Sequence, residues 1–288
     1  MDETLDIQHD TDPAEDHGPA HRIPHLGHTL LFLSLTVFFC SLCAILTVAI
    51  LSSVAHISEE AAARDHQIAM LMAQAEGYIL TLAVSFWLFP RIWGRSFLHG
   101  IQWNVLALHR RWMWLLPAAV VLSGAAQFAL HFIPSPDHVP VENLFTTARA
   151  AWATAAVSVL LGPLFEEITF RGFLLPALAT AYDWLALERT PAGLEQWRNT
   201  TLHSRSALIF AAVISSIPFA LLHAAQIGFV WGAVGVLYGV SLALSFVRIR
   251  TYSVACSTFL HATYNLTIFV IIYVSTHGFH NMEQFSRK

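Results

Sequence analysis

Charge is scarce in this chain. Of 288 residues only 12% are Asp, Glu, Lys or Arg, against about 25% in a soluble domain, and 56% are hydrophobic. That balance excludes an ordinary soluble domain and identifies an integral membrane protein. Nothing suggests nucleic-acid binding. Cysteine is sparse too. Cys40, Cys43 and Cys256 sit in or beside apolar runs, which argues against a disulfide framework or a zinc ribbon. The Cys40-x-x-Cys43 pair lies inside a span with no second pair and reads as packing. No internal repeat is present. The features of a signal peptide are missing as well: residues 1–27 carry seven acids (Asp2, Glu3, Asp6, Asp10, Asp12, Glu15, Asp16) against Arg22, with no basic start or apolar core. This stretch is expected to be a disordered acidic tail.

Apolar stretches long enough to cross about 30 Å of hydrocarbon, roughly 20 residues each, recur along the rest of the chain. They predict an all-α polytopic bundle with spans at Leu30–Ser53, Ile68–Phe89, Trp112–Ile133, Thr147–Phe170, Ala207–Ala225, Phe229–Val247 and Val254–Val274. Interfacial tryptophans (Trp93, Trp103, Trp112, Trp114) and Pro90, Pro134 and Pro136 mark the ends of the second and third spans. The fourth segment is ambiguous. Its helical pattern could run on to Tyr182 as one long helix, or break near Gly162 and Pro163 into a hairpin, which would make eight spans. Basic residues favour seven. With one span there, the side holding the N-terminus carries Arg22, Arg91, Arg95, Arg110, Arg111, Arg189, Arg198, Arg205, Arg248 and Arg250, against Arg64, Arg149, Arg287 and Lys288 opposite. The positive-inside rule then puts the N-terminus in the cytoplasm and the C-terminus outside.

Against this apolar background, Glu166-Glu167-Ile-Thr-Phe-Arg171 stands out. A charge deep in a bilayer costs on the order of 2.5 to 3.5 kcal/mol, so three in six residues need partners or a role. Glu167 and Arg171 are four apart, carboxylate first, the favourable order for an ion pair on one helix face. Glu166 lies about 100° round the helix and is free to face a cavity. Other polar residues are stranded in apolar sequence: His223 closes the fifth span in Phe219-Ala-Leu-Leu-His223, while His261 and Asn265 lie four apart on one face of the seventh. A buried carboxylate with a histidine can hold and deprotonate water, and a second histidine with an amide can donate to an oxyanion. Taken singly, each has a plainer reading, the histidines as packing residues and Asn265 as interhelical glue. Glu76 reads as interfacial or cavity-lining, and His131, His277 and His280 fall near span ends where they reach water.

Three motifs in order, Glu166-Glu167-x-x-x-Arg171, Phe219-x-x-x-His223 and His261-x-x-x-Asn265, with the Phe170-Arg171-Gly172 continuation, resemble the CPBP family of intramembrane proteases. That family includes the CAAX prenyl endopeptidases of the Ras-converting type and bacterial relatives associated with self-immunity or abortive infection. The resemblance covers residues 147–267. It divides the chain into the tail (1–27), N-terminal spans (28–146), a catalytic core (147–276) and a polar C-terminal tail (277–288). It implies that Glu166 and His223 activate water, that His261 and Asn265 stabilise the oxyanion, and that Glu167, Arg171 and Phe219 support the site. The expected function is cleavage of a peptide bond near the membrane surface in a lipidated or hydrophobic peptide, with carboxyl-terminal CAAX processing as one form.

No cofactor is expected. Zinc is the alternative, held by Glu166, His223 and His261, but only if Glu166 gave up or shared its role as base; no His-Glu-x-x-His pair is present. Two other functions stay open: a non-catalytic binding or immunity protein of the same fold, and a proton-coupled transporter with a Glu and His relay. One geometric conflict also stands. In the seven-span reading His223 falls near the outer end of its span and Glu166 near the inner end of its own, so they meet only if a helix is displaced, tilted or broken.

Overall fold

The computed structural model describes residues 22–280 apart from 135, 137, 138 and 146. The seven acids of the expected N-terminal tail, and Arg287 and Lys288 of the expected C-terminal tail, lie outside the described residues.

All regular structure among the described residues is helical. In order it consists of α1 (Leu26–Ala55), α2 (Glu59–Asp65), α3 (Gln67–Trp93), α4 (Phe97–Gly100) and α5 (Val105–His131). A 3-10 turn at Pro140–Phe145 leads to α6 (Ala148–Leu185), α7 (Pro191–Asn199), α8 (Arg205–Leu222), α9 (Trp231–Thr251) and α10 (Val254–Ser275). Seven of these, α1, α3, α5, α6, α8, α9 and α10, are long and apolar enough to cross a membrane. Five begin on a side-chain cap that accepts a first-turn amide: His25 on α1, Asn104 on α5, Thr147 on α6, Ser204 on α8 and Ser253 on α10.

The first two spans approach closely because of Gly77. A Cβ there would lie 2.7 Å from Cys40 Cα, so α1 and α3 meet at backbone contact, with Ala73 and Thr81 buried on the same face. Cys40, Cys43 and Cys256 are free thiols. Glu76, one residue before Gly77, is exposed.

α6 lies between two apolar cores. Phe165, Ile168 and Phe173 join Phe32, Phe89, Trp93 and Phe97 from the N-terminal helices. Phe170 joins Leu115, Phe219, Leu244 and Leu260 from α5, α8, α9 and α10. A helix packed on both sides carries its polar residues into the interior, which is why Glu167 and Arg171 are wholly buried.

The fourth span departs from its expected end. It runs 38 residues, to Leu185 rather than Phe170, straight through Gly162 and Pro163. The hairpin, and with it an eighth span, is absent among the described residues. The extension also removes the conflict of depth. α8 turns back along the second half of α6, with Ala207 and Ala211 packed against Leu175 and Ala179. Glu166 therefore sits near the middle of a long helix, and the end of α8 reaches it.

Arg22, within the stretch expected as a tail, is held in place. Its side chain is 7% exposed, with Nη1 3.5 Å from Asp183 Oδ2 and Cζ 3.8 Å from the Trp197 ring centroid.

Candidate active site

The polar residues of α6 sit where the helix changes its winding. Val157–Leu161 and Ile168–Leu174 are π-helical, and the stretch Gly162–Glu167 between them is α-helical. A proline follows each wide turn, Pro163 after the first and Pro176 after the second. The Gly162 amide donates to Val157 O and the Leu175 amide to Phe170 O, both five residues back. One step further on, the same ladder would need an N–H at 163 for Ser158 O and at 176 for Arg171 O. Proline has none. Both carbonyls are met from other helices: Asn265 Nδ2 on α10 donates to Ser158 O at 2.7 Å, and Arg248 Nε on α9 donates to Arg171 O at 3.3 Å. Such wide turns inside α-helices occur frequently at functional sites.

The side chain of Arg171 is enclosed. Its Nη1 donates to Glu167 Oε1 at 2.9 Å, and its Nη2 donates to Ser241 O and Ser241 Oγ, each at 2.7 Å. The guanidinium lies 4.7 Å from the Phe219 ring. Phe219 also packs against the rings of His223, His261 and Phe170 at 5.1, 5.8 and 5.3 Å, so one side chain braces both histidines and the arginine.

Glu167 has a second partner that its spacing did not reveal. His261 Nδ1 lies 3.0 Å from the same Oε1 that receives Arg171. A carboxylate beside a guanidinium only accepts, so the His261 proton is on Nδ1. For His223 the reasoning is the same, since its Nδ1 is 2.9 Å from Phe219 O. In both neutral rings, then, Nε2 is a bare acceptor. Both Nε2 atoms face Glu166 Oε2, at 4.0 Å for His223 and 3.9 Å for His261. That oxygen is buried and has no hydrogen-bond partner among the described residues. Three acceptors therefore surround one space with no donor of their own.

The structure brings Glu166, His223 and His261 together, with Glu167, Arg171 and Phe219 directly behind them. Asn265 projects from the same face of α10 as His261 but is tied to Ser158, about two turns along α6 from Glu166. That bond occupies one of its two amide hydrogens. The side chains of Glu166 and His223 are 23% and 24% exposed, so the space opens to the outside past these two. Sequence spacing had marked neither Ser241 nor Ser158 nor Arg248; the prolines at 163 and 176, inside one apolar helix, were the available signal.

A metal can be tested against this donor set. The ligand types suit zinc, and each histidine gives its other ring nitrogen to a carbonyl or carboxylate, as zinc ligands do. The spacing does not suit it. Two ligands on one tetrahedral zinc stand roughly 3.3 Å apart, whereas here they are 3.9 and 4.0 Å apart. No group of His, Cys, Asp and Glu among the described residues has the spacing of a metal site. The residues as placed suit a water donating to two of the acceptors.

No curated protein and no solved structure matches the chain. Among protein-family models one does, over residues 148–267, a segment that starts with α6, ends inside α10 and contains every residue of the cluster. By this segment the chain is matched to the type II CAAX prenyl endopeptidases described as Rce1-like, the CAAX-type intramembrane proteases that its three motifs resemble.

Proposed function

We propose that the chain is an intramembrane endopeptidase in which Glu166 and His223 activate a water that attacks the carbonyl carbon of a peptide bond. The observation that carries this reading is the convergence of Glu166 Oε2 and two histidine Nε2 atoms on one space, with Oε2 otherwise unpartnered. A water there donates one hydrogen to Glu166 and one to His223. As its oxygen bonds to carbon, the first proton passes to this pair, which returns a proton to the amine when the C–N bond breaks.

The oxyanion requires donors, and neutral His261 presents none, because its Nε2 is unprotonated. His261 becomes a donor when its Nε2 takes up a proton, with Nε2–H then toward the oxyanion and Nδ1–H still held by Glu167. The second amide hydrogen of Asn265 is the other donor. Glu167 thus holds that ring in place while it pairs with Arg171. No step is routed through a metal.

The substrate is a lipidated or hydrophobic peptide, which reaches the site past the exposed edges of Glu166 and His223. The N-terminus is cytoplasmic on the distribution of arginines, and the bacterial relatives in the family that the motifs resemble suggest a bacterial inner membrane.

The test is cleavage of a peptide library with prenylated and unmodified members by the purified chain in nanodiscs. Wild type is compared with Glu166→Gln and with added chelator. Cleavage lost in Glu166→Gln and kept in chelator is the expected result, and loss in chelator would transfer the step to a metal. A folded wild type that binds members of the library without cutting any would favour a binding or immunity protein.

A further inference from the structure

Far from the cluster, at the end of the bundle that carries residue 22, lies a hollow of 590 Å³ lined by Arg22, His25, His28, Trp93, Thr180 and Arg198, with Ile23, Ile92 and Leu194 as its apolar wall. Its polar lining is almost entirely donors. Arg22 Nε and Trp93 Nε1 are buried without a partner among the described residues. His25 Nδ1 accepts from the Gly27 amide and His28 Nδ1 accepts from the His25 amide, which leaves each neutral ring its Nε2–H. Partial burial lowers the His25 ring below its ordinary value. Arg198 is exposed at the rim. Among the described residues no carboxylate lines the hollow; Asp183 takes up Nη1 of Arg22. A cavity of this size falls in the range that holds a small ligand, and unpartnered buried donors beside two guanidiniums call for an acceptor-rich anion.

We propose that this hollow binds the phosphate headgroup of an anionic phospholipid. Its walls are the ends of spans, the start of α1, the end of α3 and the end of α6, where tryptophans such as Trp93 and Trp184 mark the headgroup level. The apolar wall runs out to Ile92, which is 46% exposed, and so gives acyl chains a path back to the bilayer. A choline headgroup carries the same phosphate with a cation beside it, which Arg22 and Arg198 disfavour.

The experiment uses the full chain in nanodiscs and reads its melting temperature and the lipid retained in native mass spectrometry. Discs of phosphatidylcholine are compared with discs doped with phosphatidylglycerol, and with phosphatidylcholine discs given inorganic phosphate. Phosphatidylglycerol is expected to raise the melting temperature and to be retained one per chain, with affinity falling about fivefold in Arg198→Gln and further in Arg22→Gln. Arg91→Gln is the control, since Arg91 stacks on Trp87 outside the hollow, and it is expected to keep the full shift. An equal loss in Arg91→Gln would reduce the effect to surface charge and overturn the site. A shift reproduced by inorganic phosphate would overturn the lipid assignment, and no shift with either would overturn both. If Arg22→Gln does not fold, the rim variant Arg198→Gln alone decides.

Discussion

Asn265 supplies the hydrogen bond that Pro163 withholds. The two residues stand on different helices, and Ser158 O connects them: Pro163 has no N–H to give it, and Asn265 Nδ2 reaches it at 2.7 Å. Leaving a fully buried carbonyl unsatisfied costs about 1 to 3 kcal/mol; Ser158 O is part-buried, so Asn265→Ala is expected to destabilise the chain by the lower part of that range. In a Pro163→Ala background position 163 regains an N–H, and the same Asn265→Ala change should cost clearly less. A double-mutant cycle on the melting temperature measures this, and additive losses would break the connection.

The adjacent glutamates should separate stability from activity. Glu167 is wholly buried between Arg171 and His261, and breaking a buried pair from one side costs about 3 to 5 kcal/mol. Glu167→Gln is therefore expected to lower the melting temperature strongly. Glu166→Gln removes an oxygen that has no partner, so it should leave the melting temperature nearly unchanged while abolishing cleavage. Parallel melting and peptide-cleavage measurements on the two variants check both halves.

Phe219 touches both histidines, Phe170 and Arg171. Truncation to Ala is expected to cost about 3 to 5 kcal/mol and to lower kcat by freeing both rings. Phe219→Leu, which keeps part of the volume, should recover most of the stability and less of the rate.

Gly77→Ala tests the contact of α1 with α3. The added Cβ would fall 2.7 Å from Cys40 Cα and 2.9 Å from Cys40 N, and backbone cannot turn aside as a side chain can. A loss of about 1 to 3 kcal/mol is expected, measured as a lower melting temperature, whereas Gly124→Ala, with open space around its position, should be tolerated.

The loop before α8 should make the fold acid-sensitive. His203 lies 3.0 Å from Asp183, yet burial outweighs that partner and lowers the ring below its ordinary 6.5. A histidine whose folded value is depressed binds more protons when unfolded, so stability falls as pH drops below about 6.5. Arg22 and Arg248 face the same ring and act in the same direction, and His25 adds a like contribution. His203→Asn is expected to flatten the loss seen in melting temperature between neutral and mildly acidic pH.

Much of this protein is legible in the order of its residues. Apolar length and the distribution of arginines together place seven spans, because a bilayer admits only helices that satisfy their own backbone, and the structure moves most ends by a few residues. The spacing of Glu167 and Arg171 foretells their ion pair, since both sit on one helix and local geometry decides it. Contacts between distant segments are the part that stays hidden. Spacing along α10 could not show that His261 turns to Glu167 and Asn265 to Ser158, nor could the ends of the spans show that His223 meets Glu166. The fourth span reads as one bilayer crossing, Thr147–Phe170, with a helical pattern that could run on to Tyr182, and the helix does continue, as the surface on which α8 packs.

Sequence by itself determined an all-α membrane protein, narrowed its spans to seven or eight and supplied the candidate site residues, because these follow from local composition and helical period. Tertiary structure alone decided which ring nitrogens are bare, where the two prolines widen α6, and which distant side chains serve the carbonyls they free. Those outcomes depend on hydrogen bonds between residues 77 to 107 positions apart, and no local pattern encodes a partner at that range.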